Sequence, residues 1–337
     1  MAKRWDIFCT VVDNYGDIGV TWRLARQLVA EHGVMVRLWV DDLQAFVRLC
    51  PEADATAQSQ WQAGVEVCHW TGDWRSAGVA DVVIEAFACQ LPAQYLAEMQ
   101  SRPIKPLWLN LEYLSAEDWV GGCHGLPSLQ SGGLRKFFFF PGFRADTGGL
   151  IRERNLLQQR DALQQAAPAR TEFLHSIGVQ RATDEQLYTL FTYESASVTG
   201  WLQSLATGVQ PVLLLVPEGR ALAAVQDWLG AGDLQAGMPL VRGRLRVQVL
   251  PFLRQEDYDR LLWCCDFNAV RGEDSFVRAL WAGRPLLWHI YQQADAVHLE
   301  KLEAFLELYL LGLSAAAARA LGDFWGVWNR GDDISLS

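Results

Sequence analysis

Asp13 and Asp17 flank a glycine turn in the segment Asp13-Asn14-Tyr15-Gly16-Asp17-Ile18-Gly19. An apolar run, Trp5 to Val12, precedes it and reads as a buried first β-strand; Val20 to Ala30 follows and reads as a helix. A strand, a tight turn and a helix start present backbone N–H groups to an anion or a sugar. Paired aspartates repel phosphate, however, so this turn is suited to holding a cation or taking a proton. It also lacks the G-x-G-x-x-G pattern of a dinucleotide site: only Gly16 and Gly19 are present, and Asp17 stands where a pyrophosphate would lie. Asp41 and Asp42, after a predicted strand Met35–Val40, could serve as ribose-binding acids, which keeps a nicotinamide-dependent oxidoreductase as an alternative. The structural alternative is that Asp13 caps a turn and Asp17 a helix.

A second constellation, Arg271-Gly272-Glu273-Asp274-Ser275, falls between a predicted strand and a predicted helix, with Ser275 read as the N-cap. Arg271 supplies a fork of donors matched to phosphate oxygens, and a helix start adds a positive dipole end. A diphosphate here meets Arg271, Gly272, backbone N–H groups and the Ser275 hydroxyl, while Glu273 and Asp274 turn toward sugar hydroxyls or a neighbouring cation. The plainer alternative is a helix start stabilised by its acids, at about 0.3–1 kcal/mol per charge. Phe191, Thr192 and Tyr193 follow one predicted strand, and Phe252, Gln255 and Tyr258 follow another. Their rings could sandwich a nucleobase with Gln255 reading its polar edge, or Phe191 and Phe252 could plug a core.

The elements that must position these residues come as two α/β series. The first has strands at Trp5–Val12, Met35–Val40, Asp81–Ile84, Pro106–Leu111 and Arg135–Phe140, with helices at Val20–Ala30, Leu43–Leu49 and Pro92–Gln100. A polar helical stretch, Arg152–Ala166, separates it from a second series starting at Leu187–Thr192 and running to a long helix, Ala296–Leu311. This alternation predicts two Rossmann-like domains facing each other across a cleft, over residues 1–165 and 180–314. A last helix in 315–337 is expected to cross back onto the first domain.

At 337 residues the chain exceeds one ordinary core, which agrees with two domains. Half of it is hydrophobic and 20% is charged, a globular composition. Its net charge of −10 opposes binding to nucleic acid or an anionic membrane. No apolar stretch approaches the ~20 residues that span a bilayer, and the sequence before the first strand has no signal-peptide character, so a cytoplasmic location is expected. The 7 cysteines are scattered without a C-x-x-C pair, which predicts reduced, buried thiols. His289 and His298 could share a cleft, but a metal site is not expected.

The two constellations together resemble one family. Asp13 to Val20 with Trp22-Arg23-Leu24-Ala25-Arg26, and Arg271 to Phe276 with Trp281-Ala282-Gly283-Arg284-Pro285, are similar to the paired signatures of the bacterial protein-arginine rhamnosyltransferases that modify elongation factor P. Phe191-Thr192-Tyr193-Glu194 and Trp288-His289-Ile290-Tyr291 agree with it, and the resemblance covers essentially the whole chain. It implies a GT-B fold, dTDP-β-L-rhamnose as donor, and one loop arginine of elongation factor P as acceptor. By the same resemblance the second domain holds the nucleotide sugar, and the first presents the base and receives the protein. Asp17 is then the leading general base with Asp13 orienting, or the two roles are exchanged, and Glu273 positions acceptor or sugar. Tyr15, Gly16, Gly19, Phe191, Tyr193, Phe252, Gln255, Arg271, Gly272, Asp274 and Ser275 are expected around the donor. Arg23 and Arg26 are candidates for the docking patch. No cofactor or metal is expected, since Arg271 and helix N–H groups can stabilise the leaving diphosphate with inversion at the sugar. A non-catalytic nucleotide-sugar or protein-binding module is the alternative from another class.

Overall fold

A computed structural model of the chain describes residues 3–12, 15–71, 74, 77–232, 234, 236–293 and 296–332. The chain divides into two compact units, Met1–Arg154 and Asn155–Ser337.

The first unit runs β1 (Arg4–Cys9), α1 (Gly16–His32), β2 (Met35–Val40), α2 (Leu43–Leu49), β3 (Ser59–Gln62) and β4 (Val65–His69). It continues through β5 (Val82–Ala86), α3 (Ala93–Ser101), β6 (Leu107–Leu111), α4 (Trp119–Cys123), β7 (Pro127–Leu129) and β8 (Arg135–Phe139). Its sheet has the order β3-β4-β2-β1-β5-β6-β8-β7. The six inner strands are parallel, and antiparallel partners β3 and β7 close the edges. β1 is the switch point: the chain leaves it toward β2 on one side and returns beside it as β5 on the other. In such sheets ligands bind beyond the carboxyl ends of the strands at that reversal.

β1 and β5 are buried along most of their length because both faces of the sheet are covered, and each carries one buried acid, Asp6 and Glu85, among apolar residues. Phe8, Trp39, Tyr95, Met99 and Trp108 form the core on one face, with Trp70 and Trp74 against it. One charged pair is buried there: Arg37 donates to Asp6 from Nε at 2.6 Å and from Nη2 at 2.5 Å, while Tyr95 donates to the same carboxylate at 2.5 Å. Arg37 also donates to the carbonyls of Ala77 and Gly78, so the pair fastens the chain entering β5. Gly33, at φ 63°, ends α1 in a left-handed turn that favours glycine.

The second unit runs α5 (Leu156–Gln165), α6 (Ala167–Ser176), β9 (Gln186–Leu190), α7 (Ser197–Thr207), β10 (Val212–Pro217), α8 (Leu222–Leu229) and β11 (Leu240–Arg242). Then come β12 (Leu245–Leu250), α9 (Gln255–Cys264), β13 (Phe267–Arg271), α10 (Glu273–Ala282), β14 (Leu286–His289), α11 (Val297–Tyr309) and α12 (Ala315–Arg330). Its sheet order is β11-β12-β10-β9-β13-β14, parallel except for the edge strand β11. The switch point is β9, with β10 on one side and β13 on the other.

Two boundaries differ from expectation. The helix 156–165 belongs to the second unit, because Arg160 donates to the Trp281 carbonyl and Gln164 to those of Trp263 and Ala282. The end of the first unit is held to α1 instead: Gln27 donates to the Arg152 carbonyl, and the Arg154 N–H to Glu31. The last helix, expected on the first domain, is fastened to the second unit. Asn329 accepts from the Ile290 N–H and donates to the Trp288 carbonyl, both at 2.9 Å, and Trp325 and Trp328 are fully buried. The short strands β3, β4 and β7 were not anticipated; each is at most 5 residues long, too short for a clear period.

Candidate functional site

At the first switch point the strand ends sooner than its apolar run. β1 stops at Cys9, because the N–H groups of Val11 and Val12 turn away to the carboxylates of Asp41 and Asp17, each at 2.9 Å. Asp41 is thus a loop support. α1 begins at Gly16, earlier than expected, so Asp17 lies in its first turn rather than in a free loop. Tyr15 is the N-cap residue, and the Gly19 N–H donates to its carbonyl at 2.9 Å. Asp17 is only 3% exposed, and Thr21 donates to its main-chain carbonyl. Burial holds the neighbouring Cys9 thiol well above its ordinary pKa, and the Asp17 charge adds to this. Asp13 and Asn14 lie outside the described residues. Arg23, expected on a docking patch, is 2% exposed and belongs to the interior, 3.9 Å from Glu153; Arg26 is half-buried over the Trp22 ring.

At the second switch point the structure brings together residues some eighty positions apart. Phe191 N–H donates to the Ala269 carbonyl, which sets the segment after β9 beside the end of β13. Arg271, the last residue of β13, is buried with its guanidinium 4.9 Å from the Phe191 ring centre and 4.8 Å from that of Tyr193. Cation–π contact with two rings holds the planar fork in one orientation at little entropic cost. Phe191 and Tyr193 therefore grip the arginine. Phe191 also meets Tyr258 edge-on, and Tyr193 meets His289 and Tyr291 in the same way. Phe252 is half-buried at the carboxyl side of β12.

Gly272, not Ser275, is the N-cap of α10, at φ 62° and ψ −172°, a conformation open to glycine. Ser275 is the third helical residue, so its hydroxyl lies in the first turn with Glu273 and Asp274. Gln255 donates to Asp274 at 3.1 Å across from α9. Asp274 thus turns toward α9, and one N–H of the Gln255 amide is engaged with it. Arg278 grips Asp259 with two bonds, at 3.0 and 2.7 Å, both side chains buried. Such a bidentate pair holds α10 against α9 in one register.

Two residues of this region were not singled out as donor-site residues. The Trp288 indole donates to the Gly272 carbonyl at 3.0 Å. His289, fully buried, pairs with Arg271 in the β13–β14 register and has no hydrogen-bond partner on either ring nitrogen among the described residues. Burial, with the positive charge of Arg271, lowers its pKa to about 4, so it is neutral. His298 accepts from the Gln293 N–H, and among the described residues no group of three or more His, Cys, Asp or Glu side chains could hold a metal. The signal for both residues was a strand ending in aromatic side chains, which alone does not distinguish core from site.

Residues 5–336 match the family described as "Elongation-Factor P (EF-P) rhamnosyltransferase EarP". The chain is 63% identical over 334 residues to a protein-arginine rhamnosyltransferase of Pseudomonas putida, covering 99% of this chain and 89% of that one. A protein-arginine rhamnosyltransferase of Shewanella oneidensis is 46% identical over 341 residues, covering 97% and 85%. A solved structure described as "Structural basis for EarP-mediated arginine glycosylation of translation elongation factor EF-P" matches with a TM-score of 0.69 and 46% identity, over 99% of this chain and 86% of that one.

Proposed function

Because the chain belongs to the EarP family of elongation-factor P rhamnosyltransferases, we propose that it transfers L-rhamnose from dTDP-β-L-rhamnose to one arginine of elongation factor P, with inversion. The protein is an enzyme, a protein-arginine rhamnosyltransferase, and its two Rossmann-like units are those of a GT-B glycosyltransferase. Neither a non-catalytic binding module nor an oxidoreductase is consistent with that membership. The reaction belongs in the cytoplasm, with the translation factor it modifies; no helix among the described residues is long and apolar enough to cross a membrane.

The observation that carries the reading is the opposite charge at the two switch points. In the second unit Arg271 stands before the positive end of α10, which suits a leaving diphosphate. In the first unit the α1 start carries Asp17, which suits a guanidinium. A guanidinium is a weak nucleophile because it holds its proton with a pKa above about 12. As its nitrogen bonds to the anomeric carbon, the C–O bond to the diphosphate breaks and the nitrogen must lose a proton. Asp17 takes that proton in this reading, with Asp13 beside it in sequence as orienting partner or in the exchanged role. Attack from the face opposite the diphosphate inverts the anomeric centre. Arg271 and the α10 N–H groups take up the charge of the departing dTDP, so no metal is required.

Intact-mass analysis of purified elongation factor P after incubation with this protein and dTDP-β-L-rhamnose tests the proposal. Addition of one deoxyhexose to the intact factor, absent when the acceptor arginine is replaced by lysine, is expected. An unmodified factor at full donor concentration would overturn it.

A further inference from the structure

We infer that Trp288 is a positioning residue for donor binding, setting the direction of the peptide group at the start of α10. The inference rests on the diphosphate placement proposed above and adds to it the device that holds that site in shape.

The geometry starts with Gly272. At φ 62° and ψ −172° its backbone lies where side-chain-bearing residues are strained, and nothing in a glycine's own preference selects one peptide orientation there. The Gly272–Glu273 peptide is the last one before the helix. In a trans peptide the carbonyl and the following N–H point in opposite directions. Whatever holds the Gly272 carbonyl therefore aims the Glu273 N–H the other way.

As the N-cap carbonyl it accepts the first bond of the helix, and Trp288 adds a second hold from outside the helix. Its indole nitrogen donates to that carbonyl at 3.0 Å, from the third position of β14, the strand next to β13. The same ring lies flat on Phe276 of α10, with centres 3.9 Å apart and planes 4° from parallel. One side chain thus grips α10 at its N-cap carbonyl and again one turn later. Phe305 of α11 closes edge-on against both rings, at 4.9 and 6.0 Å. Behind Trp288, Asn329 of α12 donates to its carbonyl and accepts from the Ile290 N–H, so the end of β14 is itself pinned. Trp288 is 4% exposed, which makes it a positioning residue rather than a catalytic one.

A purely structural tryptophan would affect all ligands alike. A peptide-aiming one affects only ligands that carry the diphosphate. The test measures dTDP and thymidine affinity of Trp288→Phe by calorimetry and ligand-observed NMR, with Arg271→Ala in parallel. Phenylalanine keeps a ring on Phe276 and removes the N–H donor. Expected is an increase of up to about tenfold in the dTDP dissociation constant, the scale of one hydrogen bond removed from the N-cap carbonyl, with thymidine unchanged. The KM for the donor should rise in step, and the KM for the acceptor protein should stay constant.

Equal losses for dTDP and thymidine would overturn the inference in favour of a packing role. Unchanged dTDP affinity in Trp288→Phe, with the Arg271→Ala loss intact, would overturn the Trp288 assignment alone. Unchanged affinity in both variants would overturn the diphosphate placement beneath it. If Trp288→Phe does not fold, site-specific replacement of Trp288 by benzothienylalanine removes the N–H while keeping the ring shape, and the same outcomes decide.

Discussion

The starts of α1 and α10 are built alike and carry opposite chemistry. Each follows a switch-point region of a parallel sheet, and each has acids in its first turn: Asp17 in one, Glu273 and Asp274 in the other. What separates them is where those acids turn and what stands at the strand end. At α1 no basic residue ends the strand, and the Asp17 carboxylate folds back to accept the Val12 N–H. At α10 an arginine ends the strand, clamped between two rings, while Asp274 is drawn off toward Gln255. A helix start carries roughly half a positive charge, and a few side chains set what surrounds it at each place.

The largest effect should come from neutralising the acidic start. Asp17→Asn retains an oxygen to accept the Val12 N–H, so fold and dTDP binding should persist while turnover falls at least about 100-fold. Single-turnover mass measurement on the acceptor checks this, and near-normal turnover would shift the base to Asp13. The complementary change at the other helix is Arg271→Ala. Loss of a charge-assisted contact should weaken dTDP by about 10- to 100-fold without altering acceptor affinity. Calorimetry showing the same dTDP affinity as the parent would remove the contrast between the two sites.

A smaller effect concerns His289, the buried neutral neighbour of Arg271. Its folded pKa of about 4 lies below the ordinary 6.5, so the unfolded chain binds a proton that the folded chain refuses. Stability should therefore decline as pH falls from 6.5 toward 4, by up to about 1.4 kcal/mol per pH unit for this one proton. The thermal midpoint of the parent should fall relative to that of His289→Gln as pH drops across that range; parallel curves would show that His289 contributes no such proton. The smallest expected effect is none at all. Activity should survive EDTA, since Arg271 and the α10 N–H groups supply the positive charge; loss restored by Mg²⁺ or Mn²⁺ would show that a cation shares that role.

Strand–turn–helix alternation and both charged signatures were legible from residue types, because turn chemistry and apolar runs are local properties. Asp17, Arg271 and the glycines beside them needed no neighbours to be noticed. The extent of β1 was not legible: Val11 and Val12 read as strand, yet their N–H groups go to carboxylates of another segment. Ser275 read as a cap by its type, whereas the cap is the glycine that a left-handed φ selects three residues earlier.

Membership of the α/β class, the two-unit organisation and the identity of the paired motifs were determined by the sequence itself, since each depends on short-range pattern. Tertiary structure alone decided that β9 lies between β10 and β13, which sets Phe191 and Tyr193 around an arginine eighty residues away. It also decided that a tryptophan of β14 holds a glycine carbonyl of α10, and that the last helix braces that tryptophan. Strand order and buried hydrogen-bond partners arise from which apolar faces and polar groups satisfy one another across the folded chain, and no period or spacing along the sequence encodes that choice.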